Sequence, residues 1–307
     1  MGTLTFRVAQ PGDHSDVVKM SEGIYSGNDY LPLKFHQWLQ RENLTVLLGY
    51  SDDKLVGLQA CFVVDEGRTY IRRAGRIQPE LRGQGLGRQL RECARKHAID
   101  HYPSLQRERF TTTFDNASSV DQRKLLENDI LSYQVQKKLS CQAAIFTTNA
   151  VEIEMCSKEY FSSVILSSPM RGELFPANVI VVNWCPFEPL RSNIDYMLQE
   201  SDEMFVDKCG DDALPRSFSF GTFSPRVKFV QWLAAVYTRD PVLFEAHLLH
   251  QLKRAREVIN GDFIFISFQD KNLTPTARKV MEEQLQLKEH DWYMKKTMKL
   301  FQRDVTR

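Results

Sequence analysis

Glycine stands at every second position in Gly83, Gly85 and Gly87, with Arg82 before the first and Arg88 after the last. Glycine leaves no Cβ in the path of a ligand and accepts positive φ, so successive N–H groups can converge on one anion. The residues that follow read as a helix. Leu86, Leu90, Cys93, Ala94, His97 and His101 recur at helical spacing, and Arg88, Arg91, Glu92, Arg95 and Lys96 cover the remaining turn. A strand ending near residue 77, a glycine turn and a helix start form an anion-binding device, because the helix N-terminus adds partial positive charge. A pyrophosphate fits such a place. The Walker pattern is excluded, since it ends in Gly-Lys-Ser/Thr and this chain offers Gly87-Arg88-Gln89. The dinucleotide fingerprint fails as well, because the glycines are spaced two apart and no βαβ unit precedes them. A glycine turn without a ligand is the alternative, and the flanking Arg82 and the strand-to-helix setting weigh against it.

The longer stretch Gln78-Pro79-Glu80-Leu81-Arg82-Gly83-Gln84-Gly85-Leu86-Gly87 resembles the Arg/Gln-x-x-Gly-x-Gly/Ala signature of GNAT acetyltransferases, with its Pro-Glu-x-Arg-Gly-x-Gly preface. The strand and helix order over about residues 3 to 147 is similar to the GNAT core, and the second half extends the resemblance to the histidine N-acetyltransferase family. The resemblance implies acetyl-CoA as co-substrate; no metal is expected, because the histidines lack a matching Cys or carboxylate ligand set. It implies cofactor contacts at Ile77, Gln78, Arg82, Gly83, Gln84, Gly85, Leu86, Gly87 and Arg88, with main-chain N–H groups from Gln84 to Arg88 on the pyrophosphate. Asn116, after a strand at 109–114, matches the second cofactor motif. A backbone N–H near Ile77 would polarise the thioester carbonyl as an oxyanion hole does. The acceptor implied is the α-amine of L-histidine, attacking directly in a ternary complex to give N-acetyl-L-histidine and CoA. A peptide N-terminus, another small amine, or a non-catalytic acetyl-CoA-binding module are the other readings.

The chain departs from the family pattern in one place that bears on catalysis. Many members carry a Tyr about seven residues after the motif Asn, and Arg123 stands there. Tyr133 is the nearest substitute as catalytic acid, or else an aromatic on a sheet face. An α-amine is largely protonated near neutral pH, so a base is needed, and the sequence assigns none. The strand before the signature has Arg72, Arg73 and Arg76 instead of the usual Glu. A planar guanidinium matches a carboxylate, so Arg72 and Arg76 are candidates for the substrate's α-carboxylate, with solvated or cofactor-neutralising arginines as the alternative. In the segment 25–30, Tyr25, Asp29 and Tyr30 suit an imidazole lid, or a plain surface loop. His97 with His101 and His247 with His250 lack a matching ligand set and read as packed side chains.

These residues need a scaffold. Residues 4–9, 44–50, 55–64, 69–77, 109–114 and 131–146 read as strands, and 13–23, 33–42, 85–101 and 117–127 as helices. The second half supplies strands at 179–184 and 263–268 and helices at 227–237, 242–258 and 276–287. A loop is expected at 210–225 and a closing strand within 292–301. The fold class expected is α/β (α+β): a GNAT domain at 1–150, with a mixed, mostly antiparallel sheet flanked by helices, then a degenerate GNAT-like α/β domain at 151–307 without a cofactor signature. Trp184, Trp232 and Trp292 read as core. Forty Lys plus Arg against 39 Asp plus Glu leave a net charge of +1, which draws the chain to no polyanion. The six cysteines never fall at a close ligand spacing. Without a basic-then-apolar leader or an apolar run long enough to span a bilayer, a cytoplasmic protein with small-molecule partners, no nucleic acid and no membrane is expected.

Overall fold

The computed structural model describes residues 4–113, 122–137, 151–167, 169, 171–208, 214–290 and 296–305. Four strands open the chain as an antiparallel array: β1 (Thr5–Val8), β2 (Leu44–Ser51), β3 (Lys54–Val64) and β4 (Thr69–Ile77). Asp52 with Asp53, and Asp65 with Glu66, take positive φ in the two connecting turns, as tight hairpins require. Helices α1 (His14–Ser21) and α2 (Leu31–Leu39) lie between β1 and β2. After β4, α3 (Leu86–His101) crosses over to β5 (Arg107–Thr112), which runs parallel to β4. Both faces of β3 are covered. Leu58, Ala60, Phe62 and Val64 enter one core, while Cys61 and Val63 meet Ala94 and Ala98 of α3 in another, following the two-residue period of a strand.

The rest of the chain continues the same sheet. It comprises β6 (Arg123–Val135), β7 (Ile153–Met155), short helices α4 (Lys158–Tyr160) and α5 (Arg171–Leu174), the hairpin β8 (Ile180–Val182) and β9 (Cys185–Phe187), and α6 (Ile194–Glu200). Then come β10 (Glu203–Asp207), β11 (Phe218–Pro225), β12 (Val230–Tyr237), α7 (Pro241–Val258), β13 (Phe263–Gln269), α8 (Thr274–Arg278), β14 (Lys288–Glu289) and β15 (Thr297–Asp304). Among the described residues thirteen strands form one sheet in the order β1-β2-β3-β4-β5-β15-β6-β13-β12-β11-β10-β7, with β14 on β6. The unit β12–α7–β13, with its strands parallel, repeats the unit β4–α3–β5. The division of the sequence near residue 150 is not a division of the sheet: β15 lies antiparallel between β5 and β6, and β6 lies between β15 and β13.

Three expectations are corrected. Residues 230–237 are strand, not helix, because β12 is buried on both sides: Trp232, Ala234 and Val236 face α7, and Leu233, Ala235 and Tyr237 face the other core. An unbroken apolar run does not distinguish such a strand from a buried helix. Residues 123–127, expected to end a helix, begin β6, whose partner β15 lies far along the chain. Residues 218–225, expected as loop, form β11. Its Gly221 is required by packing, since a Cβ there would lie 2.6 Å from the Trp232 ring. The hydroxyls of Ser217 and Ser219 flank the ring of His247 at 2.9 and 2.8 Å, and burial pushes that imidazole down to about 3. Trp232 is core, whereas Trp184 is only partly buried, and Trp292 lies outside the described residues. No helix among the described residues is long and apolar enough to cross a membrane.

Candidate active site

Two parallel strands part company at the centre of the first half. β4 and β5 pair at Thr69 with Arg107, Tyr70 with Glu108 and Ile71 with Arg109, and no further. Among the described residues β4 runs on to Ile77 paired only with β3, past Ala74 at φ 55°. The Gln78 N–H donates to Val56 O of β3 at 3.0 Å. Because direction alternates along a strand, the neighbouring polar groups of Ile77 turn away from β3, and Arg82 Nε reaches the Ile77 carbonyl from that side at 3.2 Å. The chain then turns through Pro79–Leu81 and enters α3 with Gly83 at φ 80° and Gly85, the N-cap, at φ 81°. A Cβ at Gly83 or Gly85 would meet nothing within 4 Å. Arg82, Gly83, Gln84, Gly85 and Arg88 are exposed. The first N–H groups of a helix lack partners within it, so Leu86 and Gly87 complete an open cradle of donors at the positive end of α3. Its chemistry fits a pyrophosphate, and the free side of β4 fits an extended arm leading away from it. Asn116 lies outside the described residues.

Where the strands part, a cavity of about 240 Å³ opens. Arg72, Arg73, Ala74 and Arg76 form its β4 wall and Thr111, Thr112 and Thr113 its β5 wall. Tyr25, Tyr30, Lys34, Trp38 and Arg41 close it from the α1–α2 side. The second half adds Asn183, Trp184, Gln199, Glu200, Ser224 and Arg226. Asn183 and Trp184 form the two-residue turn between β8 and β9, at φ 45° and 69°, and the Thr111 hydroxyl donates to Trp184 O at 2.7 Å.

Arginines dominate this wall, and each is held. Arg76 makes a bidentate pair with Asp29, Nε to Oδ2 at 3.0 Å and Nη2 to Oδ1 at 2.9 Å, both groups buried. Burial by itself would raise the Asp29 carboxyl, but the hydrogen bonds and charge of Arg76 outweigh it and hold the group below the ordinary range. The Arg76 guanidinium lies 5.1 Å from the Tyr25 ring and 5.5 Å from the Tyr30 ring. Asp29 Oδ1 also accepts from Leu31 N–H at 3.2 Å, fixing the start of α2. Glu200, at the end of α6, receives Arg41 Nη1 at 2.5 Å and Arg73 Nη1 at 2.9 Å. Here too burial opposes ionisation and the two arginines prevail, leaving the carboxyl below its ordinary value. Arg72 pairs with Glu108 at 3.2 Å and lies 3.7 Å over the Phe110 ring. Burial raises the Tyr30 hydroxyl, which stays protonated.

Of the residues singled out in the sequence, Tyr25, Tyr30, Arg72 and Arg76 line this cavity, and Asp29 stands behind Arg76. Tyr133 is elsewhere. Its ring belongs to the core under α7 and α8, and its hydroxyl donates to Glu282 at 2.9 Å, because β6 serves the second half of the sheet. Sequence reasoning did not reach Arg41, Trp184, Glu200 or Arg226. No local pattern marks them, since Glu200 finds Arg73 and Arg41 across 127 and 159 positions of chain. Among the described residues no group of three His, Cys, Asp or Glu side chains could hold a metal; His97 and His101 stack on each other at 4.0 Å.

With this geometry in view, two families match the chain: "Acetyltransferase (GNAT) family" over residues 16–121 and "Histidine N-acetyltransferase, C-terminal" over residues 149–270. Over 291 residues the chain is 28% identical to the histidine N-acetyltransferase of Scomber australasicus, covering 88% of this chain and 85% of that one. Over 290 residues it is 27% identical to the enzyme of the same name from Oreochromis niloticus, again with 88% and 85% covered. A solved tandem GNAT protein from the clavulanic acid biosynthesis pathway has a similar fold at TM-score 0.60 and 11% identity, with 99% of each chain covered. A GCN5-related N-acetyltransferase from Sphaerobacter thermophilus is similar at TM-score 0.58 and 11% identity, with 99% and 96% covered.

Proposed function

We propose that this chain, an acyltransferase with the GNAT fold, transfers the acetyl group of acetyl-CoA to the α-amine of free L-histidine. The observation that carries the reading is the cavity at the parting of β4 and β5, where aromatic rings and an excess of cations meet the free edge of β4. Gln84 to Gly87 would hold the pyrophosphate with their main-chain donors, beside Arg82, Gly83 and Arg88, whose own N–H donates to Gly85 O at 3.0 Å, and Ile77 and Gln78 would flank the arm. Bound there, acetyl-CoA supplies the activated acetyl group. The Ile77 N–H, turned from β3, would stabilise charge on the carbonyl oxygen. The cationic wall with Arg72 and Arg76 suits the amino acid's carboxylate, and Tyr25, Tyr30 and Trp184 suit a planar imidazole. Residues 1–150 would form the catalytic unit and 151–307 a GNAT-like unit that completes the acceptor pocket.

The readings separate on one assay, the release of CoA with each of the twenty amino acids and with histidinamide. Strong turnover with histidine and little with histidinamide is expected, because the amide lacks the carboxylate. Equal rates would favour a peptide N-terminus, and binding of acetyl-CoA without turnover would favour a non-catalytic role. Among the described lining residues there is no histidine, and Glu200 is held ionised by two arginines. We therefore assign the departing proton to water. On this reading kcat/KM rises with pH up to the amine's own pKa of about 8 or above; a plateau set by an enzyme group near pH 6 to 7 would overturn it.

A further inference from the structure

The charges around the cavity do not balance. Its lining carries Lys34, Arg41, Arg72, Arg73, Arg76 and Arg226, and Glu200 is the one acid in it among the described residues. Asp29 and Glu108 offset Arg76 and Arg72 from behind. Glu200 lies against two arginines, offsets one of their two charges and is used up in doing so. Oε1 accepts from Arg41 Nη1 at 2.5 Å and lies 2.9 Å from the charged Arg73 Nη1, while Oε2 accepts from Arg73 Nη2 at 3.2 Å and Asn183 Nδ2 at 3.3 Å. A carboxylate with both oxygens engaged by two arginines and an asparagine has little left to offer an ammonium group. What it does is cancel positive charge in a wall where water is scarce and each charge acts strongly.

We propose that Glu200 is a specificity-determining residue. By offsetting one of the two charges of Arg41 and Arg73 it lowers the anion capacity of the cavity, and so disfavours dicarboxylic amino acids relative to a monocarboxylic acceptor. The inference rests on the reading of the site as one for a free amino acid. The second half thereby takes part in the choice of acceptor: α6 carries the acid and the β8–β9 turn, through Asn183, holds it.

The test measures kcat/KM for histidine, aspartate and glutamate, and succinate affinity by calorimetry as a dianion probe that needs no turnover. The proteins are the wild type, Glu200→Gln, Arg41→Gln and the double variant. Glu200→Gln is expected to raise the aspartate-to-histidine ratio about ten-fold or more and to tighten succinate binding alike, the size of one close charge in a poorly solvated site. Arg41→Gln alone has the opposite sign and weakens succinate binding, which decides the matter if Glu200→Gln fails to fold. The double variant is expected to return both quantities toward the wild type, a rescue that a merely structural role would not give. Unchanged ratio and succinate affinity in a folded Glu200→Gln protein, or unchanged succinate affinity in Arg41→Gln, would overturn the proposal. Absence of wild-type turnover with any amino acid would overturn the previous reading alone, and the succinate titrations would still decide the role of Glu200.

Discussion

Two residues put the site's physical chemistry within reach of simple experiments. Gly85 sits at φ 81° with open space where a side chain would begin, so a substitution there strains the backbone by roughly 1 to 2 kcal/mol without a clash. Gly85→Glu adds an anion to the donor cradle. Calorimetry is expected to give a folded protein with acetyl-CoA affinity lowered about a hundred-fold by like-charge repulsion, and unchanged affinity would displace the cofactor from this turn. Asp29 offers a test in acid. Its carboxyl is held below its ordinary value of 3.8, so the pairing with Arg76 stabilises the fold fully above that pH and is lost as the pH falls through the folded value. Asp29→Asn is expected to cost about 3 kcal/mol at pH 7, as breaking a buried pair does. In denaturant titrations the gap to wild type should hold down to about pH 5, begin to narrow below about pH 4 and close only below the folded value; a gap independent of pH would mean that the charge of Asp29 contributes nothing.

Legibility at this scale followed distance along the chain. The glycine turn and its helix are local, and residues 78–87 carry their own spacing. Tyr25, Tyr30, Arg72 and Arg76 were recognisable as types suited to a ligand, although the role of Asp29 as the partner of Arg76 waited on the fold. Tyr133 misled because sequence proximity to Asn116 says nothing about which sheet face a strand presents.

At the level of elements, the two parallel crossovers make a controlled comparison. In β4–α3–β5 the helix begins at a glycine that leaves its donors open, and the strands separate after three pairs. In β12–α7–β13 the strands stay paired through five positions, Gln231 to Ala235 against Ile264 to Phe268. The helix start there is filled by its own carboxylate: Asp240 accepts from Val242 N–H at 2.8 Å and Leu243 N–H at 3.5 Å. A capped, negatively charged helix end repels the ligand that an open one attracts. One acetyl-CoA per chain is expected in a calorimetric titration, and a second site would contradict this account. The elements that were misread share one cause. β12 and β11 are clothed on both faces by the rest of the molecule, so their composition follows tertiary neighbours: Trp232 against Gly221, and serine hydroxyls against His247.

On the scale of the whole molecule the sheet ties first half to second. β15 joins β5 and β6, with Arg109 Nε donating to Gln302 at 3.0 Å across 193 positions. Asp65 receives Asn193 Nδ2 at 2.6 Å and the Glu188 N–H at 2.9 Å from the other half. A chain stopped after His290 would leave β5 and β6 with bare edges, which invite aggregation. Such a chain is expected to be insoluble or unable to bind acetyl-CoA; a soluble product with unaltered affinity would show that β15 is dispensable.

The place of β15 also orders events during synthesis. The segment with the open glycine turn leaves the ribosome early, yet the place between β5 and β6 can be filled only after the last of the described strands has been translated. The edge of β5, in the half that is made first, can therefore be covered only once nearly all of the described chain has been made.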